Sequence, residues 1–421
     1  MINKNILTGL RKEIDKEDIK IKNRILYKNS FIDLVTDYND NLDCSFNIEI
    51  DTHSSTNQKS TGRCWSFAGL NILREEVIKK CNLNNFELSE SYIAFYDKLE
   101  RFNLLLERLD KYINDKRDNY DRYVHDLLET GIDDGSTYTE FKELVKKYGV
   151  VPKSVYSDSV ISNDTCELND ILSTLIRKYY LDNNRSKDKY LKDAYKVLCY
   201  TYGIPIDKFD FEYTDIDGNY HIDKGLTPVS FYKKYIDINL DNYIEIYSYK
   251  DSKYKYNNVY TLEEDSFISS NKRTKILNLD YERIEELIIK QLKNNEMVYF
   301  STSTSSKYEN GMWIDLMSRY SNLLDIDLNM TNNEIIKTYG SYGEHSMVIT
   351  GVLIDNKVRR WKVENSWGPN VGNNGYFVME PIFLEKYLVS VVINKEYLNK
   401  KELSILNKEP IEVSKWDGKF C

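Results

Sequence analysis

The chain has 421 residues, too many for a single small module, and its 41% hydrophobic and 13% aromatic residues are enough to form a sizeable core. Only 6 prolines and 17 glycines, beside 30% charged residues, argue against a collagenous or disordered chain. Asp and Glu outnumber Lys and Arg by 67 to 58, giving a net charge of −9, so no chain-wide positive field would attract a phosphate backbone. We therefore do not expect nucleic acid as a partner.

The sequence also predicts a cytoplasmic protein that does not cross a membrane. Charged residues such as Lys4 and Arg11 interrupt what would have to be the apolar stretch of a signal peptide, and no apolar run approaches the ~18 residues of a membrane span. The six cysteines include no Cys-x-x-Cys pair, which argues against a zinc site and against a dense disulfide framework. His53, His125 and His221 lack partners at metal-ligand spacing. We expect neither a metal nor an organic cofactor.

The first elements predicted along the chain lead to Cys64. Residues 1–50 show short helical patterns with polar breaks and end in a strand-like run, so we interpret them as an N-terminal arm. Over Cys64–Cys81 apolar residues recur every three or four positions, which predicts a helix with one buried stripe. Cys64 therefore lies in or near the first turn of that helix.

The later patterns predict an α+β protein with two lobes, a helical one followed by a β-rich one. Further helical patterns cover residues 89–99 (capped by Ser89), 101–114, 139–147, 168–180, Lys187–Tyr202 and Tyr281–Lys293. A hairpin-like run at 209–222 turns at Asp217-Gly218, and strand patterns follow at 297–300, 346–354, 360–364 and 375–379. We expect a helical lobe over 51–156, a mostly helical insertion with a β-hairpin over 157–280, a β-rich lobe over 281–400 and a C-terminal arm over 401–421.

Cys64 is the best candidate for a reactive group among the cysteines. A thiol at a helix N-terminus experiences the positive end of the helix dipole, which lowers its pKa. Acyl transfer also needs a proton shuttle, a group that orients it, and donors for the developing oxyanion. His345 begins a predicted strand, Asn365 ends the next one, and Gln58 precedes Cys64 by six residues. These residues can supply the three remaining functions.

Taken singly, each of these residues could be an ordinary structural side chain, but their order and neighbours are distinctive. Gln58, the Cys64-Trp65 pair, His345 and the run at 365–368 (NSWG) resemble the papain-type cysteine peptidases. The usual Cys-Gly-Ser/Ala-Cys lead-in is absent, and His345 lies 281 positions after Cys64, against roughly 130 to 150 in the papain pattern. The surplus corresponds to a domain-sized insertion.

That insertion points to the bleomycin hydrolase and bacterial aminopeptidase C family, which this sequence resembles over roughly 360 residues. Similar stretches are 62–65 (GRCW), 89–92 (SESY), 97–101 (DKLER), 148–152 (YGVVP), 227–232 (TPVSFY), 362–368 (KVENSWG) and 409–411 (EPI). The resemblance implies a papain-like two-lobed fold and a cytosolic thiol aminopeptidase of broad specificity. It also implies peptide substrates and a homo-oligomer, commonly a homohexamer whose active sites face an internal cavity.

The resemblance assigns roles to individual residues. Cys64 would be the nucleophile, His345 the general acid and base, Asn365 the group that orients His345, and Gln58 the oxyanion donor. The substrate-binding residues would be Trp65, Asp134, Gly135, Ser136, Trp367 and Cys421, with Trp367 also shielding the hydrogen bond between His345 and Asn365. The family's Asp-Gly-Gly run is Asp134-Gly135-Ser136 here, so a side chain stands where the family has a glycine, and the shape of that subsite stays open.

The C-terminus leaves the cleavage mode open. In the resembled family the tail lies in the cleft, and its carboxylate can bind the free amine of the substrate, which limits cleavage to the first residue or so. Only four residues follow Asp417, and a tail shortened by two residues would withdraw the carboxylate by up to about 7 Å. Endopeptidase or dipeptidyl-peptidase activity is therefore an alternative. Cys421 could also form a reversible disulfide with Cys64, which would be a redox-controlled block.

Two further alternatives stay open. A catalytically silent relative would keep the scaffold as an assembly or binding protein, and its Cys64 would not react with a thiol-directed peptidyl inhibitor. The third alternative is Cys-His acyl transfer to amines, or a DNA-linked role as described for relatives. The negative net charge disfavours the DNA-linked role.

Overall fold

The computed structural model describes residues 1–36, 45–264, 274–304, 308–309, 311–340 and 343–417. Its helices are α1 (Lys4–Glu13), α2 (Lys16–Leu26), α3 (Phe31–Val35), α4 (Cys64–Cys81), α5 (Glu90–Asn114), α6 (Arg122–Thr130), α7 (Tyr138–Tyr148), α8 (Cys166–Leu181), α9 (Lys187–Tyr202), α10 (Pro228–Tyr235), α11 (Tyr281–Lys293), α12 (Leu316–Leu324), α13 (Asn332–Lys337), α14 (Pro381–Tyr387) and α15 (Lys400–Leu406). Its strands are β1 (Ile48–Glu49), β2 (Phe209–Thr214), β3 (Tyr220–Leu226), β4 (Tyr243–Tyr247), β5 (Asn258–Leu262), β6 (Ile276–Asn278), β7 (Val298–Thr302), β8 (Tyr308–Glu309), β9 (Met312–Trp313), β10 (His345–Asp355), β11 (Lys357–Glu364), β12 (Tyr376–Met379), β13 (Leu388–Asn394) and β14 (Ile411–Val413).

Helix α4 runs through the centre of the helical part, as its predicted apolar stripe requires. Burial extends well beyond that stripe to most of its 18 residues, polar Asn71 and Arg74 included. The helix packs against α5 and α7 on one side and against β10 on the other. A helix covered from both sides is buried all round, which a single stripe does not indicate. Helix α4 therefore joins the helical and the β-rich parts, and Cys64 begins it.

Most predicted helices and the hairpin are confirmed. Ser89 caps α5 by accepting a hydrogen bond from the Tyr92 N–H (3.1 Å). Helix α5 runs on for 25 residues and merges two predicted helices, because no Gly or Pro interrupts it. Strands β2 and β3 form the predicted hairpin, and Gly218 in its turn has a φ of 85°, which favours glycine.

Among the described residues, the β-rich part is one large sheet with the strand order β14-β5-β6-β4-β13-β7-β10-β11-β12-β9-β8, and β1 pairs with β10. Strand β10 pairs antiparallel with β7 and β11, which places Val348 opposite Glu364. The start of β10 and the end of β11 therefore meet at the same edge of the sheet. His345 begins β10 and Asn365 follows β11, so the register brings these two residues together.

The sheet begins earlier in the chain than predicted. The strands of the β-rich part were expected after Tyr281–Lys293, but β4, β5 and β6 precede that helix and join the sheet. Strand β13, which lies between β4 and β7, was not predicted. Strands of three to seven residues carry little periodicity, and their pairing is decided by neighbours from distant parts of the chain. The α+β fold class itself is confirmed.

The two predicted arms differ in how they attach. In the N-terminal arm, α3 packs on α12, with the ring centroids of Phe31 and Tyr320 6.0 Å apart, whereas no residue of α1 or α2 is buried. In the C-terminal arm, β14 pairs parallel with β5, and the Trp416 ring lies 5.3 Å from that of Tyr123. Across the described ranges, no helix combines the length and the hydropathy needed to cross a bilayer. The five-part division of the chain stays a prediction.

Candidate active site

The Cys64 thiol lies at the N-terminus of α4. The preceding residue, Arg63, does not cap the helix with its side chain, because a guanidinium has no acceptor for the helix N–H groups. It donates to the Ser162 carbonyl instead (2.9 Å). The backbone N–H groups of Cys64 and Trp65, at the start of the helix, lower the pKa of the Cys64 thiol. The N–H and hydroxyl groups of Ser346, the residue after His345, also lower it. The sulfur therefore sits between the helix terminus and the start of β10.

The pKa of the Cys64 thiol is nevertheless raised above its ordinary value. Burial is the largest cause, since the residue is only 7% exposed, and the hydrogen bonds from Ser346 and from the helix terminus oppose it only in part. The helix terminus acts in the predicted direction, but desolvation outweighs it. The sulfur is consequently a neutral thiol at neutral pH when no substrate is bound.

His345 and Asn365 are in direct contact. The His345 Nε2 atom lies 2.8 Å from Asn365 Oδ1, so Nε2 carries the proton and Nδ1 is the ring nitrogen that can accept one. Asn365 Oδ1 also accepts from the Ser366 N–H (2.8 Å), which fixes the amide. Burial lowers the pKa of His345 to about 4, and the hydrogen bond to Asn365 opposes that change only in part. The imidazole is therefore neutral at neutral pH.

Aromatic rings cover the imidazole. The Trp367 ring stacks on His345 with a centroid distance of 4.9 Å and an interplanar angle of 27°. Trp313 lies 5.7 Å from Trp367 and 6.4 Å from His345, and it is fully buried. The sequence analysis assigned Trp367 to this position but missed Trp313, whose two-residue strand β9 gives no periodic signal. Both tryptophan rings exclude water from one face of the imidazole and contribute to the burial that lowers the pKa of His345.

Gln58 is fixed by three hydrogen bonds. Its Nε2 donates to the Thr61 carbonyl (2.7 Å), its Oε1 accepts from the Ser366 hydroxyl (2.6 Å), and its backbone N–H donates to the Ser366 carbonyl (2.8 Å). A carboxamide has two N–H groups, and one of them makes the contact with Thr61. Gln58 itself is buried and does not line the pocket that contains Cys64 and His345. Because Ser366 follows Asn365, the contacts of Gln58 with Ser366 link the predicted oxyanion donor to the predicted orienting amide.

Asp134 anchors the loop at 133–137, which lies beside Cys64. Its carboxylate accepts hydrogen bonds from Lys98 Nζ (2.6 Å), the Gly62 N–H (2.8 Å), Asn169 Nδ2 (3.0 Å) and the Thr165 hydroxyl. Its carbonyl accepts from Trp65 Nε1 (2.7 Å). Burial raises the pKa of Asp134, but Lys98 and the hydrogen bonds outweigh burial and hold the pKa well below its usual range. The carboxylate faces the protein interior, where it holds the loop.

The side chain of Ser136, which replaces a glycine of the resembled family, lies against Glu140. The Ser136 hydroxyl and the Thr137 N–H (3.2 Å) both donate to Glu140 Oε2. The neighbouring Gly135 carbonyl accepts from Arg101 Nη2 (2.6 Å), and a Cβ built on Gly135 would meet no atom within 4 Å. The sequence analysis missed Glu140 and Arg101. The spacing of Thr137 and Glu140, a capping box at the start of α7, was the signal that could have identified Glu140.

Cys64 and His345 line the same pocket, which has a volume of about 100 Å³. Trp65, Gly135 and Ser136 also line it, whereas Asp134 and Trp367 contact the lining residues Trp65 and His345. A second cavity of about 520 Å³ shares Gly135 and Ser136 with this pocket, and Lys415 and Trp416 of the C-terminal arm line it. The pocket beside the thiol therefore continues into a larger groove.

Two predictions concern features away from these contacts. Cys421 lies outside the described residues, so its predicted approach to Cys64 stays a prediction. The described cysteines Cys64, Cys81, Cys166 and Cys199 are free thiols. Within the described ranges, no group of three or more His, Cys, Asp or Glu side chains is placed to hold a metal ion.

Comparisons with known proteins agree with this geometry. The sequence profile of the Peptidase C1-like family matches residues 2–419. The chain is 37% identical over 399 residues to Aminopeptidase C of Lactobacillus delbrueckii subsp. lactis, covering 89% of this chain and 88% of that protein. It is 36% identical over 395 residues to Aminopeptidase C of Lactobacillus helveticus, with the same coverage.

A solved structure gives the same result for the fold. The crystal structure of PepW from Lactobacillus rhamnosis HN001 superposes with a TM-score of 0.90 at 32% identity, covering 100% of this chain and 99% of that one. The resemblance to the bleomycin hydrolase and aminopeptidase C family, and the papain-like fold that it implied, are confirmed. The chain belongs to the Peptidase C1-like family.

Proposed function

We propose that this chain is a thiol aminopeptidase that removes N-terminal residues from peptides through an acyl-enzyme on Cys64. The observation that carries the proposal is a single pocket lined by a thiol at a helix N-terminus and by an imidazole held 2.8 Å from the Asn365 amide oxygen. The relatives named Aminopeptidase C, 36–37% identical over most of the chain, support both the activity and the class of substrate.

In the first step His345 acts as the general base. The raised pKa of Cys64 and the lowered pKa of His345 leave both groups neutral before substrate binds. With Nε2 donating to Asn365, His345 Nδ1 takes the thiol proton while the sulfur bonds to the carbonyl carbon of the scissile peptide. The carbonyl electron pair moves onto oxygen, where the second N–H of Gln58 and the Cys64 N–H stabilise it.

The later steps return the site to its starting state. The imidazolium gives its proton to the leaving amine as the C–N bond breaks, which leaves a thioester between the substrate acyl group and Cys64. His345 then takes a proton from water, and the resulting hydroxide attacks the thioester carbonyl. The C–S bond breaks, the acid product leaves, and the sulfur regains its proton from the imidazolium.

The nucleophile is tested with Cys64→Ser and, as a matched control, Cys199→Ser, a free and partly exposed cysteine of α9. We expect Cys64→Ser to lower the hydrolysis of aminoacyl amides by at least about 1,000-fold with an unchanged fold, because the triad acts as a unit. Cys199→Ser should keep wild-type turnover. Wild-type turnover by Cys64→Ser would refute the mechanism. Wild-type protein that neither hydrolyses a peptide library nor reacts with a peptidyl thiol inhibitor would support the silent relative.

Removal of single N-terminal residues is the finer part of the proposal. Lys415 and Trp416 line the groove beside the pocket, which supports a role for the C-terminal arm in limiting substrate length. Peptides with free and with acetylated N-termini are compared on full-length protein and on protein ending at Asp417. We expect the full-length protein to release single residues from peptides with a free N-terminus. The truncated protein should not show this single-residue release. Dipeptides or internal fragments from full-length protein would favour the dipeptidyl-peptidase or endopeptidase alternative.

We further propose a homo-oligomer, with a homohexamer as the expected state. Support comes from α1 and α2, where Leu7, Leu10, Ile21 and Ile25 are each at least 43% exposed although both helices are amphipathic in pattern. A second copy would cover this apolar face. Light scattering after size exclusion should give six times 49.8 kDa, and Leu10→Glu with Ile25→Glu should lower that mass. A monomeric wild-type protein at micromolar concentration would contradict the proposal.

A cytoplasmic location completes the proposal. Free thiols at Cys81, Cys166 and Cys199 are compatible with a reducing compartment. Cell fractionation of the tagged protein, followed by immunoblotting, tests the location. The regulatory disulfide between Cys64 and Cys421 is tested separately by mass spectrometry of oxidised protein; its absence, with activity unchanged by oxidation, would refute it.

A further inference from the structure

A buried ion pair joins the helix of the nucleophile to the strand that ends beside Asn365. Arg74 Nη2 lies 2.8 Å from Glu364 Oε1, and both side chains are at most 1% exposed. Arg74 lies on α4 ten residues after Cys64, roughly three helical turns away. Glu364 is the last residue of β11 and directly precedes Asn365. The pair therefore connects the two parts of the molecule that carry the nucleophile and the orienting amide.

The same guanidinium also holds the segment that leads to Gln58. Arg74 Nη2 donates to the Ser54 carbonyl in addition to Glu364. Two residues further on, the Thr56 hydroxyl donates to Asn71 Oδ1 of α4 (3.2 Å), and the Thr56 carbonyl accepts from the Gly368 N–H (2.9 Å). The segment at 54–58 thus runs between α4 and residues 366–368. The buried Arg74 guanidinium therefore connects helix α4 both to the segment that contains Gln58 and to strand β11, which precedes Asn365.

Stability alone is a weak reason for such a pair. A buried ion pair can often be replaced by apolar side chains of similar volume with no loss of stability, because desolvation of the charges offsets their attraction. A directional contact between two charged groups fixes a relative position that apolar packing leaves less defined. In an active site, a displacement of 1 Å can cost a large factor in rate.

We propose that Arg74 and Glu364 are positioning residues, which fix the strand of Asn365, and through Asn365 the His345 ring, relative to Cys64. This inference rests on the proposed function, because it assigns a role in the same reaction. Neither side chain lines the pocket beside the thiol, so both act through the residues that do.

The charge state of the pair determines the conditions of the test. Burial raises the pKa of Glu364 to about 7, while Arg74 opposes the change. The other charged or titratable groups that face Glu364 are Glu75 on α4, Lys362 on β11 and Tyr376 on β12. At pH 8 the carboxylate is ionised in most molecules, so the kinetic comparison is made there.

Glu364→Gln removes the charge but keeps an oxygen for the guanidinium. We expect kcat for an aminoacyl amide to fall about 10-fold while KM changes less than about twofold, because the substrate-lining residues are untouched. The rate of Cys64 alkylation by iodoacetamide should fall by a similar factor, since it reports proton transfer from the thiol to His345 without any substrate. Wild-type kcat and alkylation in this variant would overturn the proposal.

A double variant separates positioning from stability. Arg74→Met with Glu364→Met removes both charges of the pair, so its thermal midpoint should exceed that of Arg74→Met alone, which leaves Glu364 buried without its partner. The proposal requires that kcat and alkylation are still about 10-fold lower in this stable protein. Full activity and alkylation in the double variant would show a purely structural pair and would overturn the proposal.

The matched control is Asp315→Asn, which breaks the buried pair of Asp315 and Lys386 (2.6 Å) outside the pocket. It should lower the thermal midpoint and leave kcat and alkylation unchanged; an equal kinetic loss in this control would count against the proposal. A wild-type protein without peptidase activity would refute the proposed function alone. The alkylation rates of the same variants would then still decide whether the pair positions the thiol and imidazole.

Discussion

The two sides of the candidate cleft are held by different kinds of interaction. On the Cys64 side, the loop at 133–137 is fixed from behind by buried ionisable groups of α5 and α7, namely Asp97, Lys98, Arg101 and Glu140. On the His345 side, the aromatic rings of Trp367 and Trp313 surround the imidazole. The imidazole donates a hydrogen bond to the neutral side-chain amide of Asn365. The comparison shows a charged scaffold that fixes backbone position and an aromatic enclosure that controls hydration.

Each kind of interaction suits what its side has to do. The loop presents Gly135 to the pocket, and glycine has no side chain with which to pack, so the loop can be fixed only through its backbone and its neighbours. Lys98 and Arg101 supply directional hydrogen bonds for this purpose. In the proposed reaction His345 exchanges protons, and a low pKa keeps the imidazole neutral and ready to accept one. Apolar rings achieve that low pKa by excluding water.

The largest expected effect concerns the charged side. Asp134→Ala leaves Lys98 as a buried cation without its carboxylate partner and removes the acceptor of the Gly62 N–H. Breaking one partner of a buried pair typically costs about 3–5 kcal/mol, so we expect a loss of that size in the free energy of unfolding. Urea denaturation at pH 7 measures it. Activity should fall as well, because the loop beside Cys64 loses its anchor.

Asp241→Asn is the matched control, since it breaks the exposed pair of Lys146 and Asp241, whose carboxylate side chain is 51% exposed. Exposed pairs contribute about 0–1 kcal/mol, so this variant should unfold almost like the wild type. Equal losses in Asp134→Ala and Asp241→Asn would show that the loop is not held by its buried charges, and the comparison between the two sides would fail.

The next effect concerns the aromatic side. Trp367→Leu opens one face of His345 to water, which should raise the pKa of the imidazole from about 4 toward its ordinary value of 6.5. The base must be unprotonated to react, so the acid limb of kcat/KM moves to higher pH by up to about 2.5 pH units. A pH profile between 3.5 and 8 measures the shift. At pH 5 the variant should therefore lose most of its activity relative to pH 7.5, while the wild type keeps most of its own.

Phe383→Leu is the control, because it also replaces a buried aromatic ring by leucine and leaves a cavity. Phe383 lies on α14, and its ring centroid is 5.4 Å from that of Trp313, with no ring contact to His345. We expect reduced stability and an unchanged acid limb. A shift in this control as large as that of Trp367→Leu would attribute the effect to loosened packing and not to hydration of His345.

Much of the fold and of the candidate site could be predicted from the sequence because these features are local. Helix α9 follows directly from its apolar spacing, and the hairpin from Asp217-Gly218. Residues 365–368 form a contiguous motif, so Asn365 and Trp367 were identified together. What was missed depends on tertiary contact: Trp313 reaches the imidazole from a two-residue strand, and Arg74 reaches Glu364 across 290 positions. Burial of Cys64, which reverses the predicted direction of its pKa, is likewise a property of the assembled lobes.

The smallest expected effect concerns Glu140, which links the charged scaffold to Ser136. Burial raises the pKa of Glu140 to about 8, against the pull of Arg101, Ser136 and Thr137. A carboxyl group whose pKa is higher in the folded than in the unfolded protein contributes stability that is present below pH 4.5 and is lost as the pH rises through about 8. Glu140→Gln has no such titration. The free energy of unfolding of the wild type minus that of Glu140→Gln should therefore fall across this range, by at most about 1.4 kcal/mol for each pH unit.

Urea unfolding of both proteins at pH 5, 6, 7 and 8 measures this difference, and Glu285→Gln serves as the control. Glu285 lies on α11, where burial and the neighbouring Glu385 and Glu282 also raise its pKa, but it contacts no residue of the loop at 133–137. The two variants should both flatten the pH dependence of stability. Only Glu140→Gln should also change KM, by about twofold to fivefold above pH 8, where the wild-type carboxylate is charged. The neutral amide does not attract Arg101, which holds the Gly135 carbonyl of the loop. An unchanged KM in Glu140→Gln would mean that the loop at 133–137 keeps its shape without a carboxylate at position 140. The charged groups that hold the loop would then be Lys98, Arg101 and Asp134 alone.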